Sequence, residues 1–252
     1  MSISKVYTGD EPQRVNKFMG QSGLSSRREA EELIEKGMVS IDGEVISSPG
    51  HKINPGQTLT LSKQAAKSLG AKFTAVIHKP VGIVSAQPED GQIPAARLLT
   101  RENLTGPGRP PSKAASLPAL GRLDMDSRGL LLLSEDGVLA KALIGPESKM
   151  EKEYVVKVRG AITSDKLEML RHGLELDDRK LKPARVTEMG GGRLRFILRE
   201  GRNRQIRRMC DLVDLRVTDL LRVRIGSLKL CRLKEGKWRP LSRQERAALL
   251  KP

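Results

Sequence analysis

Aromatic side chains are scarce in this chain: three Phe, two Tyr and one Trp among 252 residues. A platform that stacks successive bases of single-stranded nucleic acid needs a row of rings, so that mode of binding is excluded. Cysteine is rarer still. Cys210 and Cys231 are too far apart for a CxxC motif, and His51, His78 and His172 cluster with nothing, so no disulfide framework and no metal site are expected. No Walker loop or GxGxxG turn is present, which leaves no cofactor to expect. No apolar run approaches membrane length, no helix pairs a bulky apolar face with a lysine-rich one, and the N-terminus lacks the apolar core of a signal peptide. A reducing, cytoplasmic setting is the expectation.

Positive charge, in contrast, is abundant. Lys and Arg number 46 against 30 Asp and Glu, a net charge of +16 with an isoelectric point near 10.1. Self-repulsion on that scale is relieved by a polyanion whose counterions are released on binding, so nucleic acid is the expected partner. Residues 199–246 carry 15 Lys or Arg against 6 Asp or Glu, whereas residues 13–63 carry 7 against 6. Much of the electrostatic footprint therefore belongs to the C-terminal part.

The punctuation divides the chain. Residues 1–12 read as a flexible tail. Residues 13–63 read as a compact unit: a short helix through Lys17, Phe18 and Met19, a stop near Gly23, then Ser26 with Glu29 as a capping box. Ala30, Leu33 and Ile34 supply that second helix's apolar face, and Asp42-Gly43 reads as a hairpin turn between Val39/Ile41 and Val45/Ile46. Residues 64–72, rich in Lys, Ala and Gly, read as a linker. Residues 73–252 then alternate strands and helices, with a strand from Phe73 to His78 and an irregular stretch to about Pro118 whose Gly106–Pro111 part reads as a mobile basic loop. Val138, Leu139, Ala142 and Leu143 suggest a helix. Tyr154, Val156 and Val158 share a strand face, as do Leu194, Phe196 and Leu198, with Arg193, Arg195 and Arg199 opposite. Leu221, Val223 and Ile225 alternate with Arg222 and Arg224 in the same manner. The expectation is a mixed α+β domain whose sheet is apolar on one side and basic on the other.

Two segments carry chemistry. Leu130–Leu133 is a short apolar run closed by Ser134, Asp136 and Gly137, hence a strand buried on both faces, and Asp124 stands on the loop that feeds it. A carboxylate at the mouth of a buried strand can be held rigid and partly desolvated, as an acid, base or nucleophile requires; the loop alone reads equally as a turn cap or a partner for Arg122. The second segment is Gly201–Cys210, where Ile206, Met209, Cys210 and Val213 form a buried helical stripe. Arg207 lies at about 100° from Ile206, at the edge of the stripe, while Arg204 and Arg208 point outward. An amphipathic surface helix with solvated arginines has the same pattern.

Residues 13–63, through Arg14–Phe18, Gly23–Ala30 and Gly37–Gly43, resemble the S4-like (αL) RNA-binding domain. With His78–Gly82, Gly121–Gly137, Glu151–Tyr154 and Gly201–Met209 in that order, nearly the whole chain resembles the rRNA pseudouridine synthases of the small-subunit and large-subunit subfamily. The runs Pro80–Ser85, Asp126-Ser127 and Gln205–Cys210 look most like the F type, which with its close relative the B type modifies 23S rRNA near the peptidyl-transferase centre. His78 stands where Asn is usual, and the Gly/Pro-rich stretch at 104–118 is longer than common.

The resemblance implies an α+β fold: a small αL domain followed by a pseudouridine synthase domain with a mixed, mainly antiparallel sheet flanked by helices. It implies isomerisation of uridine in ribosomal RNA by a monomer. Asp124 would be the catalytic carboxylate, either nucleophile or base for the ribose 2′ proton. Arg122 would hold the flipped nucleotide or fill its vacancy, Tyr154 would stack on uracil or accept the carbon 5 proton, Ile206 would wall the pocket, and Arg207 would pair with Asp124 and keep it ionised. Arg14, Lys17, Arg27, Arg28, Lys79, Arg202, Arg204 and Arg208 are the expected phosphate contacts. A non-catalytic ribosome-assembly factor on the same fold would be expected to lack Asp124, Tyr154 or Arg207, and all three are present. A DNA-binding protein would need a groove-reading element, and none is written here.

Overall fold

The structure is a computed structural model that describes residues 2–70, 72–112 and 117–251. Its contacts divide the chain into two units, Met1–Phe73 with Ser134–Lys141, and Thr74–Leu133 with Ala142–Pro252.

The first unit runs β1 (Ile3–Val6), β2 (Gln13–Arg14), α1 (Val15–Gln21), α2 (Arg27–Glu35), β3 (Val39–Ile41), β4 (Glu44–Ile46), β5 (Lys52–Ile53), β6 (Thr58–Leu61) and α3 (Lys63–Gly70). The capping box forms as the spacing requires: Ser26 N donates to Glu29 Oε2 at 2.7 Å and Glu29 N to Ser26 Oγ at 3.3 Å. Asp42 and Gly43 adopt φ of 48° and 91°, the two left-handed positions of a tight hairpin turn between β3 and β4. Val15, Met19, Ala30, Ile34, Ile53, Leu59 and Leu61 close a core from which solvent is excluded.

Two expectations about this unit need correction. Residues 1–12 are not a loose tail, because β1 pairs antiparallel with β6 from Ile3↔Leu61 to Val6↔Thr58, and Tyr7 is buried edge-on to Phe18 at 5.1 Å. The four residues of β1 are all exposed, so alternation gave no sign of the strand. Residues 64–72 are not a linker throughout: Ser62 Oγ accepts from Ala65 N to start α3, and Ala65 is buried in the same core.

The rest of the chain, all but residues 134–141 of it in the second unit, runs β7 (Thr74–Lys79), a single 3₁₀ turn (Ala95–Leu98), β8 (Arg128–Ser134), α4 (Gly137–Ile144), β9 (Lys152–Arg159), α5 (Ser164–Arg171), β10 (Glu175–Leu176), β11 (Arg179–Lys180), β12 (Arg185–Gly190), β13 (Arg193–Leu198), α6 (Gln205–Asp211), β14 (Arg216–Ile225), β15 (Leu228–Lys229), β16 (Trp238–Pro240) and α7 (Arg243–Leu250). Its sheet has the order β12-β13-β9-β14-β8-β7-β16, with β15 on β14. β14 and β8 run parallel, whereas β12–β13, β13–β9, β9–β14 and β7–β16 are antiparallel. The mixed, mainly antiparallel α+β architecture is therefore present. Leu130–Leu133 on β8 are at most 1% exposed, buried on both faces as expected. Among the described residues no helix or strand lies between the 3₁₀ turn and β8, and residues 113–116 within the stretch at 104–118 lie outside the described residues. Among the described residues no helix is long and apolar enough to cross a membrane.

The phase of β14 differs from the alternation expected. Leu220 and Arg222 are buried, while Leu221 and Val223 are half-buried. Bulges at Thr218 and Val223 reset the register, so Arg222 stands directly opposite Tyr154 and Ile225 returns to the buried side. A bulge makes a period-2 pattern read on the wrong face, and here it turns an arginine inward.

Candidate active site

Asp124 is fixed by backbone contacts on either side. Ser85, on the segment after β7, donates its Oγ–H to Leu123 O at 2.7 Å and accepts from Leu123 N at 2.8 Å. Gly82 N donates to Met125 O at 2.8 Å, and Ser127 N donates back to Asp124 O at 3.1 Å to close a turn. Before the aspartate, Arg222 donates from Nη2 to Gly121 O and from Nη1 to Arg122 O, both at 3.2 Å, and from Nε to Leu130 O at 2.7 Å. Arg222 is 1% exposed, and these three bonds all go to backbone carbonyls. The Asp124 side chain stays about 30% exposed.

It opens onto a cleft of about 480 Å³ lined by Arg122, Asp124, Tyr154, Arg204, Ile206 and Arg207 among others. Tyr154 reaches it from β9 and Ile206 from the first turn of α6; both are buried. Lys152, two residues before Tyr154, also lines the cleft, and burial followed by the charge of Arg222 pulls its pKa down. The Arg122 side chain is exposed and has no partner among the described residues, so it is free for a ligand.

The arginines of the Gly201–Cys210 segment are placed differently from the sequence expectation. Arg207 does reach inward, but it meets Asp126: Nη2 donates to Asp126 O at 2.7 Å and to Ser127 Oγ at 3.2 Å, and Nε lies 3.3 Å from Asp126 Oδ2 without hydrogen-bond alignment. The guanidinium nearest Asp124 belongs to Arg204, at 3.7 Å from Oδ2. Arg204 therefore does not point outward. It sits at φ 49°, ψ 30°, a left-handed conformation unusual for a residue with a Cβ, and makes a bidentate pair with Asp126 at 3.2 and 2.9 Å. Burial raises the Asp126 carboxyl, but the Arg204 hydrogen bond and the Arg207 charge outweigh it and hold the group below the usual carboxylate range. The reason for the change is local: the left-handed turn at Arg204 rotates its side chain back over the aspartate loop, where Asp126 offers two oxygens.

Three more expected phosphate contacts are engaged within the protein. Arg208 forms a bidentate pair with Asp177 at 3.0 and 2.7 Å. Arg202 donates to Leu176 O, Arg179 O and Lys180 O, which clamps it to the β10–β11 hairpin. Lys79 is fully buried, with Nζ donating to Pro80 O at 2.8 Å and Ile83 O at 2.6 Å. Burial pulls its pKa down to about 8, against the opposing charges of Asp124 and Asp126. Lys79 thus folds the turn that carries Gly82 and Ser85 and is closed to solvent. In the first unit, Arg14, Lys17, Arg27 and Arg28 are exposed on α1, α2 and the strand before them, with no carboxylate partner among the described residues.

Ser85, Arg222 and Asp126 are the residues sequence reasoning missed. Asp126 and Ser85 stood in the runs Asp126-Ser127 and Pro80–Ser85 that carry the family likeness, but nothing there gave either a role, and Arg222 was concealed by the bulge.

A carboxylate held over a cleft with a tyrosine, an apolar wall and an exposed arginine has the make-up of an enzyme site. Residues 73–212 match the family model described as "RNA pseudouridylate synthase", and residues 13–59 the S4 domain. An Aquifex aeolicus "Uncharacterized RNA pseudouridine synthase" is 33% identical over 243 residues, covering 94% of each chain. "Ribosomal large subunit pseudouridine synthase B" of Bacillus subtilis is 30% identical over 92% of this chain and 93% of its own length. "Dual-specificity RNA pseudouridine synthase RluF" of Escherichia coli is 33% identical over 96% of this chain and 80% of its own. A solved structure titled "Crystal structure of pseudouridylate synthase" shares the fold, with a TM-score of 0.64 at 24% identity over 94% of this chain and 99% of that one. The chain belongs to the RNA pseudouridine synthases, an isomerase family, in the subfamily that joins this domain to an N-terminal S4 domain.

Proposed function

We propose that this chain isomerises uridine in 23S rRNA near the peptidyl-transferase centre, acting as a cytoplasmic monomer on a base flipped into the cleft. The reaction breaks the bond between ribose carbon 1′ and uracil nitrogen 1, turns the base and joins carbon 1′ to carbon 5; carbon 5 then gives up its proton and nitrogen 1 gains one, so the product is an isomer. The observation that carries the reading is Asp124: one carboxylate, immobilised from both sides yet partly open, at the wall of a cleft of about 480 Å³. It acts on the ribose as nucleophile or as base for the 2′ proton.

The other residues take roles that follow from their positions. Tyr154 offers its ring to uracil and its hydroxyl to the carbon 5 proton, while Ile206 walls the base in. Arg204, the nearest guanidinium, lies 3.7 Å from Asp124 Oδ2, and Arg207 holds the loop through Asp126. Arg122, exposed and without a partner among the described residues, enters the space the flipped nucleotide leaves in the RNA stack. Arg14, Lys17, Arg27 and Arg28 hold phosphates of the structured RNA. The names of the B-type relatives support the large subunit as target. Mapping pseudouridines in rRNA from cells with and without the gene tests the reading: it predicts loss of modification in 23S rRNA, and loss only in 16S rRNA or transfer RNA refutes the target.

A further inference from the structure

We infer that the open face of the β12-β13-β9-β14 sheet, opposite the side that bears Tyr154 and Arg222, is a second docking surface for the phosphate backbone of structured RNA. This rests on the proposal that the chain acts on ribosomal RNA. Lys157, Arg159, Arg193, Arg195 and Arg216 all point from this face and all are exposed. None has a carboxylate partner among the described residues. Arg193 Nε donates only to Gly190 O and Arg195 Nε only to Thr187 Oγ1, each at 3.3 Å. Asp219 lies across from Lys157 on β14, but both its oxygens are held by Arg128 at 2.8 Å.

The registers make this arrangement costly to the free protein. Arg193 stands directly opposite Lys157, and Arg216 directly opposite Arg159. Like charges facing each other across a ladder destabilise a sheet. On α6 and the residue before it, by contrast, Arg204, Arg207 and Arg208 each face a carboxylate. Two like-charge pairs on one face, which water and salt screen in the free protein, are relieved further by a polyanion laid over them. The five cations span three strands, about 10 Å across, and two residues along β13, about 7 Å, which is broader than one small anion. Among the described residues no ring projects from this face, so the binding is to phosphates and shape, without base stacking. RNA held at the cleft raises the effective concentration of its neighbouring helices, which makes RNA the occupant.

The test uses the full chain and transcribed 23S rRNA. In the variant carrying Lys157→Gln, Arg159→Gln, Arg193→Gln and Arg216→Gln, the log–log salt slope of binding should fall by about 0.7 to 0.9 for every phosphate released, or roughly 3 for all four. The thermal midpoint should stay level or rise, and single-turnover rate at saturating RNA should be unchanged. Arg216→Glu alone, which pairs opposite charges across Arg159, should be more stable than the parent and bind more weakly. An unchanged salt slope with normal folding overturns the inference. Normal affinity for the transcript combined with weaker binding to ribosomal particles also overturns it, in favour of an acidic protein. Loss of the saturated rate would implicate the catalytic reading instead of this surface.

Discussion

Arg222→Lys separates the support of the active-site loop from the chemistry performed on it. Lysine keeps the charge and can still reach one carbonyl, but it lacks the fork that serves three. The bonds to Gly121 O and Arg122 O, both 3.2 Å long, are the ones it gives up. A hydrogen bond from a charged donor is worth about 1.5 to 3 kcal/mol, and the length of these places them at the lower end, so the variant should lose about 3 kcal/mol. Against a usual total of about 5 to 15 kcal/mol, it remains folded at 25 °C. The freed carbonyls precede Asp124 by two and three residues, and a displacement of about 1 Å at a reacting group costs about 100-fold in rate. Urea unfolding and single-turnover release of tritium from carbon 5 of labelled uridine give the two numbers. Turnover near the parental value in a folded Arg222→Lys protein would refute the role of this arginine in placing Asp124.

Ser85→Ala should cost about 1 to 3 kcal/mol by leaving Leu123 N–H and C=O without their shared partner, with a fall in turnover larger than any change in RNA affinity; equal turnover would make Ser85 merely structural. Replacing Arg14, Lys17, Arg27 and Arg28 with Gln should lower the salt slope of RNA binding by about 0.7 to 0.9 for each phosphate these side chains hold, while the saturated single-turnover rate stays constant; an unaltered slope would make this face a solvated one. Lys79 has a folded pKa of about 8 against the ordinary 10.5. Below pH 8 both states are protonated and the buried charge costs its full amount. Between these values the unfolded chain binds more protons, so stability rises with pH, by up to about 3 kcal/mol. Lys79→Met should abolish that rise in urea titrations, and a parallel pH profile for the two proteins would contradict the assignment.

What could be read in advance was whatever depended on local spacing. The capping box at Ser26 and Glu29, the Asp42-Gly43 turn and the buried run Leu130–Leu133 are written over a few residues each, and all three form. The stripe Ile206, Met209, Cys210 and Val213 is likewise buried. Hidden from the sequence were features set by distant partners. β1 owes its existence to the edge of β6, and β14 changes face through bulges that no alternation announces. The arginine assignments failed for a related reason. Helical geometry gives the direction of a Cβ, but a guanidinium ends several bonds away and settles on the nearest acceptors, Asp126 for Arg204 and Arg207 and Asp177 for Arg208. Asp124 was legible because loop, strand and neighbouring glycines stand together, whereas Ser85 lies 38 residues away from the backbone it holds.

The central claim is that one carboxylate carries the reaction, and Asp124→Asn tests it most directly. Asparagine keeps the shape of the side chain and removes only the charge and basicity, so the loop and its hydrogen bonds with Ser85 and Arg222 should persist. Single-turnover tritium release from carbon 5 should fall to background while affinity for 23S rRNA stays within about twofold, under about 0.4 kcal/mol. Substantial tritium release by a folded Asp124→Asn protein would contradict the account and place the chemistry on another residue.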